Sequence, residues 1–238
     1  MGRRRWHALT IWGGGIAILA GLAGCGVQLT HTATASTSAK IHTTRMRILR
    51  WNSPPPMTIN PRLDYLATVK TSAGSFTIQL FSRSDPVAAN NFVFLARHQF
   101  FNGDQFFRVL KSFVIQTGDP LNNGTGGPGY TWKAELPPPV PYQPGIVAMA
   151  INPSNVNSNG SQFFICTGPE SEALNQTPEY TEVGRVVSGW NTIEAIAAGP
   201  VKVNPLTGED SAPLHPQKIL SVTIQTLPAG ATGTTNSG

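Results

Sequence analysis

The segment Phe106-Phe107-Arg108-Val109-Leu110-Lys111-Ser112-Phe113-Val114-Ile115-Gln116-Thr117-Gly118-Asp119 sets one arginine among aromatic and aliphatic side chains. A guanidinium is planar, always charged and rich in N–H donors, so its chemistry is donation to an atom that gains electron density. In apolar surroundings it is costly unless it has partners or work to do. A strand over 106–110 would put Phe106, Arg108 and Leu110 on one face. From these residues alone two readings stand. One is an arginine at a strand end satisfied by carboxylates, the commoner arrangement; the other is a donor placed for catalysis.

The other reactive residue types offer less. Cys166 lies in Phe163-Phe164-Ile165-Cys166, with no histidine or carboxylate beside it to activate the thiol, and reads as a small buried hydrophobe. His31, His42, His98 and His215 are isolated and lack metal-ligand spacing. Gly124-Thr125-Gly126-Gly127-Pro128-Gly129 matches the dinucleotide pattern G-x-G-x-x-G. The helix that should follow is replaced by Tyr130-Thr131-Trp132 and the breaker Pro137-Pro138-Pro139, so this is a Gly-rich loop. No metal and no organic cofactor is expected.

The elements that must position Arg108 are mostly strands. Residues 65–70 and 76–81 are β-rich runs split by Thr71-Ser72-Ala73-Gly74-Ser75, a hairpin signal, and Phe76, Ile78 and Leu80 alternate with polar residues. Asp85-Pro86 predicts an N-cap and a first-turn proline, with Ala88, Phe92, Leu95 and Ala96 at helical spacing up to about His98. Further apolar runs cover 106–110, 113–116, 146–151, 161–166, 183–187 and 219–224, and a second short helix fits 191–198. Eight short strands with two short helices predict a mainly β domain, a closed eight-stranded antiparallel barrel that leaves no exposed edges.

The 238 residues carry 12% charged residues, with 24 Gly and 20 Pro, a composition that favours short strands and many turns. The net charge of +5 is misleading, because Arg3, Arg4 and Arg5 supply three of the 17 basic residues. Setting them aside leaves 14 Lys and Arg against 12 Asp and Glu with no basic cluster, which argues against a nucleic-acid partner.

Those three arginines begin an export signal. They form a positive n-region, Ala8 to Leu22 is a short apolar run, and Leu22-Ala23-Gly24-Cys25 closes it with small residues before a cysteine. That string resembles the lipobox of bacterial lipoproteins. The resemblance implies a signal peptide over 1–24, a diacylated Cys25 as the mature N-terminus, and attachment to the extracytoplasmic face of the cell membrane. In a bacterial cell the three N-x-S/T sequons at Asn123, Asn159 and Asn175 carry little weight. Residues 25–62, rich in Ser, Thr and Pro, are expected to be a spacer, with Trp51 and Met57 able to pack on the domain. The domain is expected over 63–228, followed by a flexible tail over 229–238. Only Cys166 remains besides Cys25, so the domain has no internal disulfide and relies on core packing.

Segment 106–119 resembles the cyclophilin signature F-H-R-V-I-x-x-F-x-I-Q-x-G-D. Val147-Ala148-Met149-Ala150 and Asn159-Gly160-Ser161-Gln162-Phe163-Phe164-Ile165 are similar to the family's second signature. Asp85 to Ala96 and Gly124 to Tyr130 also match, in the same order, and the resemblance covers about Tyr65 to Leu227. It implies a peptidyl-prolyl cis–trans isomerase (EC 5.2.1.8), acting as a monomer on Xaa-Pro bonds of unfolded or exported polypeptides. Arg108 then matches the catalytic arginine, with Gln116 positioning it and the peptide. Phe113, Val114, Ala150, Ile151, Gln162, Phe164 and Leu174 match the peptide groove, Phe113 and Phe164 foremost as walls of the proline pocket. Tyr180 falls where many eukaryotic members have histidine and bacterial ones often tyrosine. Departures are Phe107 in place of histidine, Ala173 in place of a large aromatic residue, and a longer segment over 174–180. They bear on drug sensitivity and peptide preference rather than on the reaction. A peptide-binding chaperone with little or no turnover, using the same groove, is the alternative reading; a purely structural barrel is a third.

Overall fold

A computed structural model describes residues 49–230. The segments expected to be signal peptide and most of the spacer, with Cys25, and residues 231–238 of the expected tail lie outside the described residues. The chain runs β1 (Asp64–Thr71), β2 (Gly74–Leu80), α1 (Pro86–Arg97), β3 (Arg108–Leu110), β4 (Val114–Thr117), β5 (Ile146–Met149) and β6 (Phe163–Cys166). A 3-10 helix (Pro169–Gln176) follows, then β7 (Glu182–Ser188), α2 (Trp190–Ala197), β8 (Val201–Val203), β9 (Asp210–Pro213) and β10 (Ile219–Leu227).

Eight strands form one antiparallel sheet in the order β10-β1-β2-β7-β5-β6-β4-β3, and these are the eight runs read from the sequence. Alternation sets the inner face: Tyr65, Ala67 and Val69 of β1 and Phe76, Ile78 and Leu80 of β2 are all buried. Thr71 and Gly74 are paired across the first hairpin, whose turn is closed by Thr71 Oγ1 donating to the Gly74 carbonyl at 2.8 Å. The outermost strands, β3 and β10, are joined just before β3. Gly103 N donates to Ile219 O at 2.8 Å, Ile219 N to Asp104 O at 2.9 Å, and Phe106 N to Gln217 O at 2.9 Å. The two ends of the curled sheet thus approach each other at this short irregular stretch, while β3 and β10 themselves are not paired.

Helix α1 lays Ala88, Phe92, Leu95 and Ala96 on the main core, as their spacing predicts. Phe92 there meets Phe101 and Phe163 at ring-centroid distances of 5.0 and 5.4 Å, the tilted and edge-on geometries that aromatic rings favour. Its cap differs from the sequence expectation. Asp85 makes no capping hydrogen bond, and the first-turn amides of Val87 and Ala88 instead donate to the Glu135 carboxylate at 3.0 and 2.8 Å. Asp85 is turned into the interior, 1% exposed, so a distant carboxylate satisfies the helix end.

The fold departs from the sequence expectation at three further places. Phe106 does not share a face with Arg108, because the strand begins only at Arg108 and alternation breaks at 106–107. Phe106 and Val109 both enter the main core, while Arg108 and Leu110 face the other way, half-buried. The β8–β9 hairpin and the 3-10 helix lie in segments for which the sequence names no element. Finally, residues 49–62 dock on the domain through Trp51, as the sequence allowed, but not through Met57. Trp51 packs edge-on against Phe94 at 5.0 Å, its amide donates to Pro128 O at 2.8 Å, and Asn90 of α1 bonds Pro56, Thr58 and Ile59. Met57, by contrast, is 48% exposed.

Candidate active site

Beneath the β3–β4–β6 end of the sheet lies a second, smaller apolar cluster built on Val114, Tyr142, Ile146, Ala148, Phe164 and Cys166. Phe113, Ala150, Leu174 and Tyr180 pack on it, half-buried. Strand register creates this grouping. Gln116 of β4 sits opposite Arg108 of β3 on one side and Phe164 of β6 on the other, so arginine, amide and aromatic ring stand in a row across three strands. Leu174 comes from the 3-10 helix and Tyr180 from the segment after it; Tyr180 meets Phe164 edge-on at 5.3 Å. The sequence-predicted apolar residues are therefore brought together, with two distinctions. Val114 is 2% exposed and forms floor rather than wall, and Ile151 lies in a neighbouring cavity.

That cavity, about 860 Å³, shares Ala150 with the apolar cluster and is lined by Gln116 and Gln162. Among the described residues Arg50 is the one charged residue lining it. A chain of amides forms the partition: Gln116 Nε2 donates to Gln162 Oε1 at 3.0 Å, and Gln162 Nε2 donates to the carbonyls of Gly124 and Gly126 at 3.0 and 2.9 Å. The Gly-rich loop is thus a wall of the site, with no helix after it. Asp119 shapes it from behind, its carboxylate accepting from the amides of Leu121, Asn123 and Gly124. A Cβ at Gly126 would collide with Asp119 Oδ1, which is why glycine stands there.

Arg108 has a carboxylate partner. Its Nε donates to Glu209 Oε2 at 2.7 Å and its Nη2 to Glu209 Oε1 at 2.8 Å, a side-on bidentate pair with both side chains about a third exposed. The hydrogen bond from Arg108 holds the Glu209 carboxyl below the usual carboxylate range. Of the five guanidinium N–H groups two are engaged, so the outer edge, with both Nη1 hydrogens, has no partner among the described residues. Cys166 is fully buried and burial pushes its thiol up to about 12, which leaves it protonated and inert.

Sequence reasoning missed two residues of this site. Tyr142, in a proline-rich string, is fully buried and holds the segment that carries Leu174 and Tyr180. Its hydroxyl donates to Tyr180 O at 2.6 Å and accepts from Tyr180 N at 2.9 Å, while its own backbone exchanges two bonds with the Asn175 side chain. Glu209 sits in a polar hairpin turn, where a carboxylate is the ordinary surface residue. Neither position carries a local signal.

Comparisons with known proteins give the family of the chain. The family model "Cyclophilin type peptidyl-prolyl cis-trans isomerase/CLD" matches residues 66–224. Peptidyl-prolyl cis-trans isomerase B of Streptomyces anulatus is 36% identical over 176 residues, covering 67% of this chain and 96% of that protein. A peptidyl-prolyl cis-trans isomerase of Helicobacter pylori is 36% identical over 138 residues, 57% of this chain and 82% of its own. A crystal structure of a Cryptosporidium parvum cyclophilin-type isomerase in the presence of the dipeptide Ala-Pro superposes with a TM-score of 0.58 at 28% identity, covering 67% of this chain and 98% of that one. With the signature residues gathered around one groove and two thirds of the chain matched, this protein belongs to the cyclophilin-type peptidyl-prolyl cis–trans isomerases.

Proposed function

We propose that this isomerase accelerates Xaa-Pro isomerisation in exported polypeptides at the extracytoplasmic face of the cell membrane, held there through a lipidated Cys25, and that Arg108 stabilises the twisted amide. The observation that carries the catalytic part is the open donor edge of Arg108, a residue paired in register with Gln116, which is paired in turn with Phe164 of the apolar cluster.

The reaction asks little covalent chemistry of a protein. Rotation about an Xaa-Pro bond meets a barrier of about 18–20 kcal/mol because it breaks amide resonance, and no bond is made and no proton moves. In the twisted amide the proline nitrogen regains its lone pair. A donor that meets that nitrogen more strongly than the planar amide lowers the barrier, since only interactions gained on the way to the transition state accelerate a reaction. A guanidinium stays charged at every working pH and presents a rigid donor edge. Phe113, Phe164 and Leu174 hold the proline ring over the floor made by Val114, and Tyr180 closes the far side. Gln116, tied to Gln162, fixes where the peptide backbone lies against Arg108. The cavity bordered by Ala150 and Ile151 takes the residues that precede the proline. Displacement of the twisted amide away from water strengthens each of these polar contacts.

A chaperone that binds proline peptides without turning them over would need the groove but not the donor edge. Turnover of an Xaa-Pro peptide by the wild-type chain and by Arg108→Ala separates the two. Location is tested by mass spectrometry of the membrane fraction. A chain beginning at residue 25 with added acyl mass is expected, and an intact Met1 terminus would contradict the anchor.

A further inference from the structure

We propose that Glu209 is a positioning residue for the isomerisation: its carboxylate clamps Arg108 side-on, so that the guanidinium plane is fixed with its outer edge facing the groove. The inference rests on the reading of Arg108 as the donor to the twisted amide, and adds a residue from a part of the chain that the cyclophilin signatures do not include.

The geometry is specific. An arginine side chain has four rotatable bonds and carries about 2 kcal/mol of rotamer entropy, so a guanidinium reaching from a three-residue strand needs something to hold its plane. No other described side chain bonds Arg108; Gln116, its cross-strand neighbour, is occupied with Gln162. Glu209 takes Nε and Nη2 together, which fixes the plane as well as the position, whereas a single acceptor would leave the plane free to rotate.

The carboxylate is itself delivered on a firm support. Glu209 ends the turn of the β8–β9 hairpin. Its carbonyl accepts from Asn204 N at 2.7 Å, its amide donates to Thr207 Oγ1 at 3.3 Å, and the next residue opens β9, which runs alongside β3. Thr207, Gly208 and Glu209 thus form a tight turn, with Gly208 at φ +75°, whose one charged side chain is aimed at Arg108. Stability alone is a poor account of the pair, because ion pairs this exposed contribute about 0–1 kcal/mol. Holding a donor edge within a fraction of an ångström matters far more to a rate, where a 1 Å misplacement reaches about a hundredfold.

The test uses the full-length protein and an Xaa-Pro peptide, with kcat, KM and peptide affinity measured for Glu209→Gln, Glu209→Ala, Arg108→Ala and the Arg108→Ala/Glu209→Ala double variant. Glu209→Gln keeps the shape and one acceptor but loses the charge; its kcat should fall on the order of tenfold, and that of Glu209→Ala by ten- to a hundredfold, with KM and affinity within about twofold. In the Arg108→Ala background, Glu209→Ala should have no further effect on kcat. Unchanged kcat in both Glu209 variants overturns the proposal. So does a raised kcat, which would make the pair an inhibitory clamp, and so does a full additional loss without Arg108. If Arg108→Ala itself keeps wild-type turnover, the underlying reading of Arg108 fails and Glu209 falls with it. If Arg108→Ala is inactive and Glu209→Ala is not, only the positioning role fails.

Discussion

The Tyr142 hydroxyl is locked to the backbone of Tyr180 on both sides, donating to its carbonyl at 2.6 Å and accepting from its amide at 2.9 Å. One phenol thereby satisfies two polar groups of an irregular segment and pins it to the sheet through a fully buried ring. The segment so pinned carries Leu174 and Tyr180, which pack on the second apolar cluster and are the proposed walls of the groove.

Tyr142→Phe should therefore act on the groove at a distance. Removal of the hydroxyl leaves the Tyr180 amide and carbonyl without their partner, which costs about 1–3 kcal/mol of stability. Peptide affinity should weaken severalfold, and kcat at saturation should change less, because the wall serves planar and twisted amides alike. Thermal unfolding and a peptide titration on the same preparations check this. An unchanged melting temperature would contradict the role given to Tyr142.

Buried carboxyls give the fold an unusual pH response. Burial pushes Asp85 from 3.8 up to about 7, with the Glu135 charge adding to it. Burial, reinforced by Asp119, raises Asp104 from 3.8 to about 8, and burial, reinforced by Asp85, raises Glu182 from 4.5 to about 8. In each case the folded state holds the proton more tightly than the unfolded chain. Stability from these groups is full below the unfolded values near pH 4 and is lost as pH rises to about 8. Denaturant unfolding should show stability falling from pH 5 to pH 8.5, with Glu182→Gln flattening the slope. A rise over that range would contradict the protonated state of these three carboxyls.

Trp51 should be worth measurable stability although it precedes the matched domain. It is wedged among Phe94, His98 and Phe100, and its amide bonds Pro128 of the Gly-rich loop. Trp51→Ala should cost about 2–3 kcal/mol, below the range for a fully buried tryptophan because the ring is only half-buried. The loop beside Pro128 should loosen with it, read as faster exchange of the residue-51 amide that donates to Pro128 O. Full retention of stability would show that residues 49–62 merely rest on the surface.

What was legible in the sequence follows from the range of the signals involved. All eight sheet strands could be read because alternation and turn residues are local, as in Phe76-Thr77-Ile78-Gln79-Leu80 after the Ser72-Ala73 turn. Helix α1 could be read from the spacing of Ala88, Phe92 and Leu95. The row Arg108–Gln116–Phe164 was reachable only through resemblance, since cross-strand register is not written in either strand alone. The partners that hold the site in shape were out of reach for the same reason. Glu135 capping α1, Tyr142 pinning Tyr180 and Glu209 clamping Arg108 lie 38 to 101 residues from the groups they hold. The residue-only reading of Arg108 as an ion-paired strand-end arginine describes its partner correctly but leaves its outer edge unexplained.

The decisive measurement is turnover of an Xaa-Pro peptide by Arg108→Ala, taken together with peptide affinity and unfolding stability on the same preparation. Loss of one charge-assisted hydrogen bond to the twisted amide should lower kcat by about 10²–10³, or roughly 3–4 kcal/mol, with ground-state affinity nearly unchanged. Arg108→Lys should recover only part of that rate, because a compact ammonium lacks the planar donor edge. An Arg108→Ala protein that is less stable yet fully active per folded molecule would contradict the account, and would leave Arg108 as no more than the ion-pair partner of Glu209.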